Sequence, residues 1–441
     1  AATLMSGFND LNGIPTSGHS FLLTEVLRGQ WGFDGFVVSD WRSVKQMIPH
    51  GFAEDQAHAA ALGASAGVDM EMVSRTYLDH LPDLVRRGVV PEQVLDTAVR
   101  RILRVKYRLG LFDNPYVNEN LQETVLLAPA HRSLARQAVR ESLVLLKNEK
   151  NLLPLSRGLK SVALIGPLAQ ARRDLIGTWA PAAEDGDVVT LLDGLKNAMG
   201  EDCRVHYAKG CQTDGDSTDG FAEALEAASR SELVILAVGE SESHNGEAHS
   251  RTELGLPGPQ LQLVREIHKI GKPVVMVLFA GRPLTINWEM EHIPAILLAW
   301  HPGIEGGSGI ADVLLGDYNP AGKITVTFPR SVGQIPIYYN EKNTGRPMRE
   351  DDRFTSKYID SPNTPLLPFG YGLSYTTFEY GNLKVETPIV EIPGTVKVSA
   401  DITNTGGRAG HEVAQLYVRD LVGSVTRPIK ELKGFERIYL E

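Results

Sequence analysis

Cysteine is scarce: the 441 residues contain two, Cys203 and Cys211, too few for a disulfide scaffold. They flank a segment that reads as a strand, and eight steps at about 3.3 Å each would hold the sulfurs too far apart to bond. Free thiols are expected. Positive charge is also short, with 44 Lys+Arg against 54 Asp+Glu and a net charge of −10. That balance disfavours general affinity for nucleic acid or anionic membranes, both of which need clustered Lys/Arg. Long apolar runs are missing too. Pro273 to Gly281 and Ala295 to Trp300 fall well short of the ~18 residues of a spanning helix, so no membrane span is expected. Residues 1–20 lack a basic start and an apolar core, so no signal peptide is visible and the compartment must be argued from elsewhere. What is present is ordinary: 42% hydrophobic and 22% charged residues, which excludes a disordered or collagenous chain. At roughly 100 to 200 residues per domain the length suits two to four domains, and the charge suits a neutral or polar ligand.

The pattern along the chain divides it into five stretches. In residues 1–112, Phe36-Val-Val-Ser39 is a short apolar run ending in Asp40, and Gly67 to Met72 is a second, with an Ala-rich helical segment between them. Such alternation implies parallel strands. Pro91 suits a helix start, Leu95, Ala98, Val99, Ile102 and Leu109 recur at helical spacing, and Gly110 suits the stop. Residues 113–130 are polar and aperiodic, as in a linker. Residues 131–330 form a second βα series, with strands expected at Val162–Ile165, Leu233–Val238, Val274–Leu278 and Ile296–Ala299 and helices at Gly220–Ser229 and Gln260–Ile270. Residues 331–372 have no period and read as a long ordered connection. Residues 373–441 alternate every second position, as at Val396, Val398, Ala400 and Ile402, with a turn at Asn404-Thr-Gly-Gly407, the signature of a β-sandwich.

Several catalytic patterns fail on context. Gly63-Ala-Ser-Ala-Gly67 matches G-x-S-x-G, but that elbow needs a strand before the serine, whereas here a helix precedes it. His411-Glu412 opens H-E-x-x-H without the second histidine, and His244 and His249 lack ligand spacing, so no metal site is expected. The glycines from Gly303 to Gly309 match neither nucleotide pattern and read as a strand-to-helix turn. Asp40 is different, because a carboxylate at the end of a parallel strand lies where barrel and open-sheet enzymes place their chemistry. A helix cap or loop anchor fits its position equally well. Trp41 offers a flat apolar surface for stacking on a sugar ring or for a core. Met70 and Met72 are placed to line the same mouth, although alone they read as core. A second carboxylate centre is the loop Gly239 to Arg251, with Glu240, Glu242 and Glu247. On its own such a loop is solvated surface; a partner for Asp40 gives it a use.

These residues resemble the family 3 glycoside hydrolases, in particular the periplasmic bacterial β-glucosidases. Thr3-Leu-Met-Ser-Gly-Phe-Asn9 with Leu11-Asn-Gly13, Trp31 to Trp41, and Ala66 to Met72 are similar to the sixth, seventh and eighth strand regions of the family's barrel. Glu141 to Asn148, Gly281-Arg-Pro283, Gly316 to Lys323, Pro368 to Tyr375 and Leu432-Lys-Gly-Phe435 are similar to later segments in family order. The resemblance implies an α/β multidomain protein: a partial (β/α)8 barrel comprising the last three strand units, an α/β sandwich domain, and an incomplete fibronectin type III-like β-sandwich. It gives Asp40 the nucleophile's role and Glu247 the acid/base role, because Gly246-Glu-Ala-His-Ser-Arg251 resembles the family's Glu-Ala-x-Ser-Arg segment; Glu240 is the second choice. Trp41, Met5, Met70 and Arg251 are the implied substrate-binding residues. The implied activity is that of a retaining exo-acting β-glucosidase, working through a glycosyl-Asp intermediate on a β-linked gluco-oligosaccharide or aryl β-glucoside. A β-xylosidase, a β-N-acetylglucosaminidase and a non-catalytic carbohydrate-binding homologue are the alternatives. No metal or organic cofactor is implied, a homodimer is compatible with the family, and the location would be periplasmic or secreted. The family's other sugar-holding residues lie on earlier barrel strands, so the resemblance also implies an internal portion of a longer protein, one that alone neither closes a barrel nor hydrolyses glycosides.

Overall fold

In the computed structural model, which describes residues 1–441 apart from 181–182, 388 and 392, the chain divides into one unit of residues Ala1–Thr124 and another of residues Val125–Glu441. The first is built on three parallel strands, β1 (Thr3–Ser6), β2 (Phe36–Trp41) and β3 (Met70–Met72), with β2 in the middle. Alternate residues of a strand face opposite sides, and Val37 and Ser39 of β2 are the buried set. Val37 shares a core with Ala59 and Ala66 of helix α1 (Gln56–Ala66), whose buried residues are alanines and Gly63, small enough for close packing. Asp55 caps α1 through His58 N (2.8 Å), and Gly67 ends it at φ 110°. The G-x-S-x-G match is therefore a helix end. Helices α2 (Thr76–Arg86) and α3 (Glu92–Arg108) follow, with Pro91 just before α3 and Gly110 just beyond it at φ 70°. Buried Asp69, at the foot of β3, accepts from Arg28 (2.5 Å), Arg101 (2.8 Å) and Val37 N (2.8 Å). A buried carboxylate with all its partners is tolerable where an unpaired one is not.

In the second unit, strands β4 (Val144–Asn148), β5 (Ser161–Ile165), β6 (Arg204–Ala208), β7 (Leu233–Gly239), β8 (Val274–Phe279) and β9 (Ala295–Leu298) form one sheet in the order β4-β9-β8-β7-β5-β6. All pairs are parallel except β4 with β9. Every residue of β7 and β8 is buried, as a parallel sheet covered on both faces requires. Leu233, Ile235 and Ala237 face one core, with Val139 of α4 (Pro129–Ser142), Leu191 and Leu195 of α5 (Leu191–Met199), and Ile310 and Leu314 of the later helix 306–314. Val234, Leu236 and Val238 face the other, with Ala224 and Ala228 of α6 (Phe221–Ser229) and Leu263 and Ile267 of α7 (Gln260–His268).

One stretch departs from the sequence reading, and one turn has an unexpected partner on each side. The stretch 113–130 holds a short helix, Leu121–Val125, and Pro129 already opens α4 at its first position, where a missing N–H costs nothing. The turn at Asn404–Gly407 does not close a hairpin. It carries the chain from β11 (Val398–Asn404), paired with β10 (Phe378–Val385), to β12 (Gly410–Val418), paired with β13 (Glu431–Leu440) in a separate sheet. Residues 331–372 are irregular chain with turns, bends and one helical turn at Val332–Gln334, anchored by backbone bonds such as Phe328 N to Leu367 O (3.0 Å) and Ile324 N to Tyr371 O (2.8 Å). Cys203 and Cys211 are buried free thiols, and burial pushes the Cys211 thiol up to about 11.

Candidate active site

In the first unit, β2 runs through Asp40 to Trp41, two residues past the apolar run that marked it in the sequence, with a register shift against β3 between Val38 and Trp41. Asp40 lies on the face opposite buried Val37 and Ser39. Val38, on the same face, is paired with Met5 of β1 on one side and Met70 of β3 on the other. Met5 is 51% exposed and Met70 45% exposed, so three of the expected residues share one open sheet face at its carboxyl end. The Asp40 carboxylate accepts from Trp41 N (2.6 Å). Ser39, on the buried side, donates to Asp40 O (2.9 Å) and accepts from Met72 N (2.8 Å), tying the ends of β2 and β3 together. The Trp41 ring is exposed. Just beyond, Arg42 and Val73 have φ of 60° and 71°. A β-branched residue in that region is strained, and the strain sits in the loops around Asp40.

In the second unit the chain passes from β5 outward to β6 and then back across β5 to β7. Strand order reverses between β5 and β7, which is where open α/β sheets bind ligands at their carboxyl ends. Gly239 ends β7 at φ 137°, and a Cβ there would lie 1.8 Å from Phe279 O, so only glycine lets the chain turn into the carboxylate loop. Buried Gln260 fixes the turn, accepting from Gly239 N and donating to Gly239 O, both at 2.8 Å. Loops following β5, β7, β8 and β9 then enclose a cavity of about 470 Å³, with Thr178, Trp179, Asn245, His249, Arg282 and His301 among its lining residues.

The three loop glutamates have separate fates. Glu240 is fully buried: Oε1 accepts from Arg251 (2.6 Å) and lies 3.1 Å from Arg282 Nε, and Oε2 accepts from Gly281 N (3.2 Å). No substrate reaches it, which corrects its standing as second choice for the acid/base. Glu242 lies 3.6 Å from Arg173. Glu247 is exposed, next to the cavity-lining Gly246, and among the described residues forms no ion pair. Arg251, expected to meet substrate, has its two terminal nitrogens engaged inside the loop, on Glu240 and on Gly255 O (3.0 Å). Trp179, 73% exposed, and His301 were missed, because each stands in an irregular loop with no periodic neighbour. Arg282 was visible only as part of Gly281-Arg-Pro283.

Comparisons with known proteins place the chain in a family. The Glycosyl hydrolase family 3 C-terminal domain matches residues 143–375, the Glycosyl hydrolase family 3 N terminal domain matches residues 1–105, and the Fibronectin type III-like domain matches residues 412–441. A protein of Salmonella typhimurium named periplasmic beta-glucosidase is 42% identical over 468 residues, covering 100% of this chain and 61% of its own. A beta-xylosidase of Formosa agariphila is 42% identical over 456 residues, covering 100% of this chain and 62% of its own. The beta-glucosidase from Listeria innocua in complex with glucose superposes with a TM-score of 0.93 at 39% identity, over 99% of this chain and 60% of that one. The chain thus spans about three-fifths of the length of these relatives. With its C-terminal-domain match alone taking in more than half of the residues, the chain belongs to glycosyl hydrolase family 3.

Proposed function

We propose that the protein carrying this chain is a retaining, exo-acting β-glucosidase. The observation that carries the reading is Asp40, a carboxylate at the open carboxyl end of the central parallel strand, with Met5 and Met70 on its face and Trp41 next to it. The three strands of the first unit are then the last three units of a (β/α)8 barrel, whose chemistry lies at that end. In the first step an Asp40 oxygen bonds to the anomeric carbon as the glycosidic C–O bond breaks, and the leaving oxygen takes the proton of Glu247. In the second, Glu247 takes a proton from water, the water oxygen bonds to the anomeric carbon, and the bond to Asp40 breaks. Two inversions give net retention. That Glu247 forms no ion pair among the described residues supports its role, since proton exchange needs a carboxyl that no arginine holds.

The substrate class is a terminal β-D-glucosyl residue of a β-linked gluco-oligosaccharide or aryl glucoside. Its support is the Listeria innocua enzyme, whose structures include complexes with glucose and, in a mutant, with laminaribiose. A β-xylosidase is the second reading, carried by the Formosa agariphila relative at the same 42% identity. The name of the Salmonella relative supports a periplasmic or secreted location, and among the described residues no helix is long and apolar enough to cross a membrane. The test is kcat/KM of the protein carrying this chain on aryl β-glucoside, β-xyloside and β-N-acetylglucosaminide. The glucoside should be preferred. Preference for either of the others would replace the sugar assignment, and no turnover of any would favour the non-catalytic reading.

A further inference from the structure

We infer that Arg282, seated on buried Glu240, is the positioning residue that sets the acid/base carboxyl of Glu247, and that the pair matters for protonation of the leaving group rather than for sugar binding. The inference rests on Glu247 being the acid/base. One Arg282 terminal nitrogen donates to both His244 O and His249 O, the latter at 2.9 Å. These carbonyls bracket Glu247, so a single guanidinium ties the two ends of the six-residue segment bearing the carboxyl. Within it Gly246 and Ala248 have φ of 107° and 61°. A segment with left-handed residues on both sides of the functional one does not hold its shape from local preference and needs an outside tie.

The tie is itself anchored. Glu240 has no exposure, and its Oε1 lies 3.1 Å from Arg282 Nε and 2.6 Å from Arg251 Nη1. Arg251 Nη2 holds Gly255 O at 3.0 Å, the chain leaving the loop. The other wall of the segment is Thr178, whose hydroxyl donates to Asn245 O at 2.8 Å and whose side chain would meet a Cβ placed on Gly246 at 2.7 Å. Glu240 is therefore the hub of two arginines that together hold carbonyls at His244, His249 and Gly255. Lysine has one point charge on a flexible stem and cannot reproduce that fork.

The experiment compares Arg282→Lys, Glu240→Gln and the reference Glu247→Ala on two substrates of the protein carrying this chain. One is 2,4-dinitrophenyl β-glucoside, whose leaving group needs no proton; the other is phenyl β-glucoside, whose leaving group does. General acid catalysis is worth about 10²- to 10⁴-fold. Arg282→Lys and Glu240→Gln should each lower kcat/KM on the phenyl glucoside by about 30-fold or more while changing it on the dinitrophenyl glucoside by less than about 3-fold. They should also flatten the basic limb of the pH profile on the phenyl substrate only, since that limb is the loss of the protonated acid. Equal losses on both substrates, or no loss on either, would overturn the inference and leave Arg282 a structural residue. Circular dichroism and melting separate unfolding from this split; if one variant fails to fold, the other decides. Glu247→Ala keeps the two levels apart. A split there without one in Arg282→Lys rejects the positioning role alone, whereas no split in Glu247→Ala rejects the acid/base assignment beneath it.

Discussion

Asp40 is the carboxylate at which the apolar run of β2 stops, whereas Glu247 is one of three glutamates in a polar loop whose sequence gives no way to rank them. The structure ranks them by burial, which no local pattern encodes, because the arginine that occupies Glu240 from a second side comes from position 282, after another strand. Burial also singles out Glu289, on the helix Asn287–His292. It is 2% exposed, and burial pushes its carboxyl above the ordinary 4.5, with a hydrogen bond to its own backbone and then Arg265 pulling back less strongly. A raised folded-state value means that its contribution to stability is fully present below the unfolded value and is lost as pH rises through the folded one. At pH 7 the folded protein therefore holds a carboxyl that burial disfavours in its charged form. Glu289→Gln should raise the melting temperature at pH 7, and the gain should vanish as pH falls toward 4. A lower melting temperature at pH 7 would mean that the carboxylate makes a stabilising contact which this account omits.

Among the elements, β7 and β8 were easy to see because a strand buried on both faces is a continuous run of branched and aliphatic residues. Strand β4 was missed. It is an antiparallel edge, it follows α4 after a single residue, and its last two positions are Lys147 and Asn148, so no turn signal or alternation announces it. The turn at Asn404–Gly407 lies where its residues specify one, but which strands a turn joins depends on pairing between distant segments and could not be read from it. The junction of β7 with the carboxylate loop gives a prediction at this scale. Gly239→Ala places a methyl 1.8 Å from Phe279 O at a φ of 137°. Backbone strain of about 1–3 kcal/mol and overpacking of similar size should act together. Urea unfolding should show a loss of about 2–6 kcal/mol, with activity falling further than stability because Glu240 is the next residue. A neutral substitution would show that the β7 terminus moves more freely than its hydrogen bonds to Gln260 suggest.

For the whole molecule, the order of domains followed from changes of period along the chain, from βα units to alternation, and the family models fall on the same order. The central claim is a division of labour between Asp40 and Glu247, one carboxyl bonding to the sugar and the other moving the proton. Trapping with azide reads that division directly. In the protein carrying this chain, Asp40→Ala with azide and an aryl β-glucoside should give the α-glucosyl azide, because azide takes the place of the lost nucleophile and inverts the centre once. Glu247→Ala with a dinitrophenyl glucoside should give the β-glucosyl azide, because azide then opens an intermediate already inverted at Asp40. Proton NMR of the two products distinguishes the anomers. An α product from Asp40→Ala and a β product from Glu247→Ala is the result the account predicts; exchanged anomers, or the same anomer from both, would contradict it.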